Sequence, residues 1–209
     1  MLSIKNLREN YSKGQLLEKD IPTHPVDLFD AWFQLSLSSA VKEPNAMVLS
    51  TVNAKNQPRS RVVLLKDYSK DGFVFYTNYE SDKGVEIENN PNVCLNFLWL
   101  EMEKQVRIEG VATKVSEHES TEYFNSRPDG SKIGAIISNQ SKPIMSREEL
   151  NKRLSDFDIT SPIVKPKHWG GYIIKPNVIE FWQGRANRLH DRIEYILVND
   201  QWGFHRLQP

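Results

Sequence analysis

Ala46-Met-Val-Leu-Ser-Thr-Val52, then Asn53-Ala-Lys-Asn-Gln-Pro58, then Ser60-Arg-Val-Val-Leu-Leu65: two runs rich in β-branched and aliphatic residues flank a polar turn. This is the pattern of a β-hairpin. Working outward, residues 73–77 (Phe-Val-Phe-Tyr-Thr) read as a third strand. Residues 93–100 and 105–115 read as a second antiparallel pair, with charged Glu101, Glu103 and Lys104 at the bend. Five strands joined by short links favour an antiparallel barrel or sandwich over a parallel sheet. Around them the period turns helical. Residues 26–35 place apolar side chains at helical spacing, and Ser81 caps a short helix that must end before Pro91. Ser116 with Glu119 and Ser146 with Glu149 have capping-box spacing and open helices reaching about Phe124 and Phe157. Between these, residues 132–137 are apolar enough to pack inward, and residues 160–167 read as an irregular connection. Strands resume at 171–174, 178–181, 193–198 and 202–207. The expected class is mainly β with flanking helices (α+β). Residues 1–25 form a polar segment over the surface and residues 26–209 a single domain.

With 209 residues, 39% of them hydrophobic, the chain has material for one sizeable core. Lys+Arg and Asp+Glu balance at 27 each, so no net field draws in nucleic acid or an anionic membrane, and any anion site must be local. The amino terminus lacks the apolar core of a signal peptide, and no apolar run approaches the roughly 18 to 20 residues that span a bilayer. A cytoplasmic protein is expected. Cys94 is the single cysteine, which excludes an intrachain disulfide and a thiolate zinc cage, and no metal is expected. Within Val93-Cys-Leu-Asn-Phe97 it reads as a small buried apolar residue rather than a nucleophile.

Residues 182–192, Trp-Gln-Gly-Arg-Ala-Asn-Arg-Leu-His-Asp-Arg, crowd three guanidinium groups, an imidazole and an indole beside the strand-like run 178–181. Like charges repel, so such a cluster points to an anionic ligand gripped by planar, bidentate donors. Two residues apart on an extended segment, Arg188 and His190 project to one face, where one clamps an anion and the other hydrogen-bonds or shuttles a proton. A lone histidine is more often structural or exposed, and His24, His118, His168 and His205 have no comparable neighbours. Trp182 is either core or the wall of a planar ligand site. The chain has no G-x-G-x-x-G, G-x-x-x-x-G-K or H-E-x-x-H, so a phosphate here must be held mainly by side chains. Arg61 and Lys66 lie five apart, on opposite faces of a regular strand. They are either two solvated strand ends or, across a bend, one site. Arg127-Pro-Asp-Gly-Ser-Lys132 suits an anion nest, and also resembles many surface turns.

Eight blocks occur in a fixed order: Arg61-Val-Val-Leu-Leu-Lys66, Phe75-Tyr-Thr-Asn78, Glu88-Asn-Asn-Pro91, Gln105-Val-Arg-Ile-Glu-Gly110, Tyr123-Phe-Asn-Ser-Arg-Pro128, Gln140-Ser141, Glu180-Phe-Trp-Gln-Gly184 and Arg188-Leu-His-Asp-Arg192. With the ending Arg206-Leu-Gln-Pro209, they closely resemble the pyridoxamine 5'-phosphate oxidase family, from about Leu7 to the last residue. The resemblance implies an antiparallel FMN-binding split β-barrel and a homodimer with two sites at the subunit interface. It also implies oxidation of pyridoxamine or pyridoxine 5'-phosphate to pyridoxal 5'-phosphate, with dioxygen consumed and hydrogen peroxide released. By similarity FMN would be held by Arg61, Val62, Val63, Leu64, Leu65 and Lys66, by Tyr76, Thr77 and Lys83, and by Gln105, Gln140, Ser141, Trp182 and Arg192. The substrate phosphate would meet Lys66, Tyr123, Arg127 and Ser131, while Arg188, Leu189 and His190 would face the pyridine ring, Arg188 and His190 in catalytic roles. Arg8 and Tyr11 match a mobile amino-terminal segment that closes over substrate. Asp82 departs from the pattern: family members often carry arginine there, beside the lysine matched by Lys83. An acid at that place either weakens the hold on the FMN phosphate or points away.

Three rival readings give different observables. A split-barrel flavin reductase with another substrate would not distinguish phosphorylated from unphosphorylated pyridoxamine. A non-catalytic carrier of FMN or pyridoxal phosphate would make no peroxide. A structural interaction module would purify colourless.

Overall fold

The computed structural model describes residues 3–7 and 9–209; Arg8, expected at the substrate lid, lies outside the described residues. Among the described residues nine strands and five α-helices are formed. The strands are β1 Ala46–Val52, β2 Pro58–Leu64, β3 Asp67–Ser69, β4 Gly72–Asn78, β5 Asn92–Trp99, β6 Lys104–Lys114, β7 Trp169–Gln183, β8 Asp191–Val198 and β9 Gln201–Leu207. The helices are α1 Pro25–Ser38, α2 Asp82–Asn89, α3 Glu117–Ser126, α4 Asp129–Ile137 and α5 Arg147–Ser155. Along the sheet the order is β2-β1-β5-β6-β7-β4-β3, with β8 on β7 and β9 on β8. The chain packs as two compact units. One comprises Met1–Leu49, Cys94–Gly110 and Pro176–Pro209, the other Ser50–Val93 and Val111–Lys175.

The first unit holds an aromatic core. Pro25 opens α1 at a position where its missing N–H costs nothing, and the His24 ring accepts the Val26 N–H at 3.2 Å. The helix then lays Phe29 against Phe97 (5.1 Å between ring centroids) and Trp32 against Phe181 (5.2 Å), in edge-on contacts that aromatic quadrupoles favour. Phe181 also meets Tyr195, whose hydroxyl donates to the Pro22 carbonyl at 2.7 Å. Antiparallel pairing of β8 with β7 (Val178↔Ile196 through Gln183↔Asp191) and with β9 completes the frame.

In the second unit β4 pairs with β7 from Phe73↔Ile174 to Asn78↔Trp169 and with the short β3. The β3–β4 turn needs Gly72, whose φ of 148° excludes other residues and whose absent Cβ would strike the Ile174 carbonyl. Ser81, Ser116 and Ser146 cap α2, α3 and α5 as their spacing predicts, each hydroxyl accepting a backbone N–H from the third residue on.

Several expectations are corrected. The strands expected at 171–174 and 178–181 are one strand, β7, of 15 residues. Pro176 and Asn177 read as a breaker, yet Pro176 is buried within the strand. Residues 132–137, expected to pack inward, form α4 with no fully buried residue. Glu103 and Lys104, read as charged residues at the bend, are buried there, 7% and 8% exposed.

Candidate active site

A cavity of about 840 Å³ opens in the second unit, within the roughly 300–1,000 Å³ typical of small-molecule sites. The strand β2 ends at Leu64, and the Lys66 N–H then bonds to the Val74 carbonyl at 2.8 Å. That bend resolves the odd spacing: Arg61 and Lys66 both line the cavity, with Val62, Val63 and Leu64, while Leu65 turns into the core at 4% exposure. Arg61 is held from behind. Its Nη2 donates to Glu86 at 3.0 Å and its Nη1 to Thr51, whose hydroxyl in turn donates to the same carboxylate. Asp82 lines the cavity too, and its carboxylate pairs with Arg59 at 2.9 Å, so its charge is met by a cation of the chain.

Lys83 is buried, with Nζ 3.2 Å from each of Thr77 Oγ1, Ser81 Oγ and Gln140 Oε1. Burial first, and the Arg61 charge second, pull its pKa below the ordinary lysine value. A bound anion relieves both effects. Ser141, in the left-handed region at φ 69°, turns the chain along the cavity edge. Tyr76, Tyr123 and Trp169 form a stacked wall, 3.9 Å separating the first two ring centroids and 5.5 Å the first and third. Burial, then the Glu119 charge, push the Tyr76 hydroxyl well above its usual range, so it stays a neutral donor.

The sharpest signal is Arg127. Its guanidinium stands over Trp169 at 4.7 Å and Phe124 at 5.8 Å, burial lowers its pKa, and its buried Nη1 has no hydrogen-bond partner among the described residues. Buried polar groups are nearly always satisfied, so this nitrogen marks the place of an absent acceptor. Ser131 lines the same cavity from the first turn of α4, a helix N-terminus that favours anions. Arg61, Lys66, Lys83, Tyr123, Arg127 and Ser131 all line this one cavity, a donor set whose chemistry fits anionic groups.

A second cavity, of about 720 Å³, lies in the first unit and collects Tyr11, Trp182, Arg188 and His190. Here the extended segment expected at 188–190 is replaced by a 3-10 turn at Ala186–Arg188, with Asn187 and Arg188 at φ 57° and 61°. Left-handed non-glycine residues cost about 1–3 kcal/mol each and tend to mark functional sites. His190 lies 4.7 Å from Trp182 and 5.7 Å from Tyr11 between ring centroids, and its Nδ1 accepts the Arg185 N–H at 3.1 Å. Desolvation first, then Arg188, lower its pKa. With Nδ1 engaged as acceptor, the proton of the neutral ring sits on Nε2.

The three guanidinium groups of this segment separate in the structure. Arg185 reaches Gln15 and Asp191 (3.3 and 3.5 Å), and Arg192 donates to Glu180 at 2.6 Å and to the Gln208 carbonyl at 3.0 Å. Arg185 and Arg188 both line the cavity, and of the two only Arg188 has no carboxylate ion pair among the described residues. Glu180, 3% exposed, also binds Arg107 at 2.7 Å. This carboxylate clamp is a feature that sequence reading missed, since nothing along the chain joins Arg107 to residue 180. Leu189 is 68% exposed, Gln105 is half-buried on β6, and neither lines either of these two cavities.

A nine-stranded antiparallel sheet with a cavity lined by cations and hydroxyls is the arrangement of a split-barrel protein. Residues 36–159 match the pattern of the pyridoxamine 5'-phosphate oxidase family, and residues 169–209 match the pyridoxine 5'-phosphate oxidase C-terminal dimerisation region. The chain belongs to the pyridoxamine 5'-phosphate oxidase family. It is 49% identical over its full length to a pyridoxine/pyridoxamine 5'-phosphate oxidase of Flavobacterium psychrophilum, and 50% identical to one of Bordetella pertussis, each also covered over 100% of its length. Among solved structures, PhzG from Burkholderia lata in complex with tetrahydrophenazine-1-carboxylic acid aligns with TM-score 0.89 and 26% identity, over 95% of this chain and 100% of that one. A pyridoxamine 5'-phosphate oxidase-related FMN-binding protein from Nostoc punctiforme shares the fold, with TM-score 0.72 and 16% identity, over 90% and 98% of the two chains.

Proposed function

We propose that this chain is an FMN-dependent oxidase that converts pyridoxamine 5'-phosphate and pyridoxine 5'-phosphate to pyridoxal 5'-phosphate, reducing dioxygen to hydrogen peroxide. The observation that carries it is the orphaned Nη1 of Arg127 in a cavity that Arg61, Lys66, Lys83, Tyr123 and Ser131 also line; we read these donors as two anion grips. FMN needs one phosphate grip. The second calls for a phosphorylated substrate, which a split-barrel reductase acting on another compound would not require.

FMN, when bound, supplies the two-electron acceptor that takes a hydride from the substrate carbon and passes electrons to dioxygen. The residues of the chain bind and orient. Arg61, Lys83, Thr77, Gln140 and Ser141, together with Val62, Val63 and Leu64, line the cavity and would hold FMN. Lys66, Tyr123, Arg127 and Ser131 fix the substrate phosphate, and the pyridine ring is met by Arg188 and His190. His190 presents Nε2–H as a donor. To receive a proton from the substrate hydroxyl or amine it must first release the Arg185 N–H, because a protonated ring has no acceptor. The protein acts as a homodimer, with the carboxy-terminal region 169–209 at the subunit interface. We place the active site there too, with Trp182, Arg188 and His190 supplied by the partner copy. No helix of the described residues is long and apolar enough to cross a membrane, and we assign the enzyme to the cytoplasm.

The test is anaerobic addition of pyridoxine 5'-phosphate to the purified protein, followed by air. Bleaching of the flavin band and then peroxide release are expected, with unphosphorylated pyridoxine far less effective. A protein that binds FMN but never bleaches is a carrier, and that result overturns the reading.

A further inference from the structure

We propose that Glu103, acting together with Gly184, is a positioning residue that fixes the amino-terminal segment so that Tyr11 forms a wall over His190. The inference rests on the oxidase reading for the meaning of the His190 cavity, and on the geometry around Glu103 for everything else.

Glu103 turns the chain between the 3-10 turn Leu100–Met102 and β6, with left-handed backbone angles of φ 54° and ψ 40°. For the turn alone glycine would serve without strain. The residue is instead a carboxylate, 7% exposed, and a buried charge is costly unless hydrogen-bonded. Its partners are two consecutive backbone donors: Ser12 N–H and Lys13 N–H each reach Oε2 at 2.8 Å. The carboxylate therefore holds chain rather than a side-chain cation.

The residue before this anchor is Tyr11, and Gly184 forms its floor. A Cβ on Gly184 would lie 2.7 Å from Tyr11 Cγ, 2.9 Å from Tyr11 Cβ and 3.0 Å from Glu103 Cβ. Gly184 N–H also donates to the Glu103 carbonyl at 2.8 Å. Held from both sides, the Tyr11 ring stands edge-on to Trp182, at 5.7 Å and 88°, and 5.7 Å from His190. Three residues along, the chain passes so close to Gln183 that a Cβ on Gly14 would come within 2.8 Å of its Oε1. The segment is thus seated on Glu103, Gln183 and Gly184, and the place of Tyr11 is set by that seat.

The experiment compares Glu103→Ala, Glu103→Gln and Gly184→Ala, each alone and combined with Tyr11→Ala, in the FMN-loaded enzyme. Steady-state kinetics and the rate of tryptic cleavage after Lys13 are the readouts. Glu103→Ala and Gly184→Ala are expected to raise KM for pyridoxine 5'-phosphate about tenfold with a smaller fall in kcat, and to speed cleavage. Glu103→Gln keeps an acceptor oxygen and should recover most of both. In the Tyr11→Ala background neither substitution should lower kcat/KM further. Full additivity in that background, or wild-type KM and cleavage in both Glu103→Ala and Gly184→Ala, overturns the proposal. Should Glu103→Ala fail to fold, Gly184→Ala and Glu103→Gln decide by the same criteria. A silent Tyr11→Ala beside an impaired Arg188→Leu defeats this inference alone, whereas silence of both Arg188→Leu and Arg127→Met defeats the oxidase reading.

Discussion

Two buried lysines, one in each unit, show how different the two regions are. Lys83 and Lys104 are each 8% exposed, and desolvation is the leading cause that lowers the pKa of both. Lys104 is satisfied within the protein: its ammonium donates to Gln183 and stands 4.1 Å from the Trp32 ring centroid, where cation–π attraction replaces part of its hydration. It lines neither cavity described above. Lys83 meets three neutral oxygens at 3.2 Å and faces an open cavity beside Arg61. A buried cation hydrogen-bonded to neutral oxygens and repelled by Arg61 gains from an anionic ligand, Asp82 and Glu86 offsetting that repulsion only in part; one that donates to an amide, stands over an indole and has Glu103 nearby gains less. The same contrast holds for the arginines. Arg192 is matched to Glu180, while Arg127 has a buried nitrogen without a partner among the described residues.

The largest effect should come from the unmatched side. Arg127→Met removes a donor to the substrate phosphate, and truncating one partner of a buried charge pair costs about 3–5 kcal/mol, or roughly a 150- to 5,000-fold loss of kcat/KM with FMN affinity nearly unchanged. Equal loss of FMN binding would show that the two grips are not separate. Next is Arg188→Leu, for which steady-state kinetics should give a higher KM and a lower kcat, together about 10- to 100-fold. An unchanged kcat/KM would remove Arg188 from the site.

Lys83→Met should weaken FMN binding about tenfold, measured by flavin fluorescence quenching in the apoprotein. The pH dependence sharpens this. The ligand phosphate favours charged Lys83, so affinity is full while Lys83 is charged in the free protein and declines as pH rises above its lowered pKa, earlier than for an ordinary lysine. Lys83→Met should flatten that decline. The smallest effect belongs to Lys104. Its folded pKa is about 8 against an ordinary 10.5, so the penalty of burying its charge is full below the lower value and is relieved as pH rises toward the higher. Thermal unfolding should therefore favour wild type over Lys104→Met increasingly between those values, by a few degrees at most (roughly 2–4 °C). FMN should leave that trend untouched.

Much of the fold was legible because it is written locally. The serine caps of α2, α3 and α5 were placed by three-residue spacing. The hairpin, the antiparallel class and the order of strands along the chain followed from period-two runs and polar turns. The strand β7 was cut in two because Pro176 and Asn177 carry the local signature of a break, and only pairing with β4 on one stretch and β8 on the next keeps the strand continuous. Likewise Glu103 reads as a solvated charge at a bend until Ser12 and Lys13 are seen to donate to it from about 90 residues away.

For the site, sequence supplied the chemical inventory: cations and hydroxyls in an order resembling one oxidase family, with Asp82 as the departure. Which of those cations are available to a ligand was decided only by the tertiary structure. Arg185, Arg188 and Arg192 look alike in a row, yet Glu180 engages Arg192 and Asp191 engages Arg185 at the cavity wall, leaving Arg188 there without a carboxylate ion pair among the described residues. The physical reason is that availability depends on desolvation and on which opposite charge lies within about 4 Å, and both are set by residues distant in the chain. Local spacing determines what a segment forms; long-range packing determines which of its charges remain unmet.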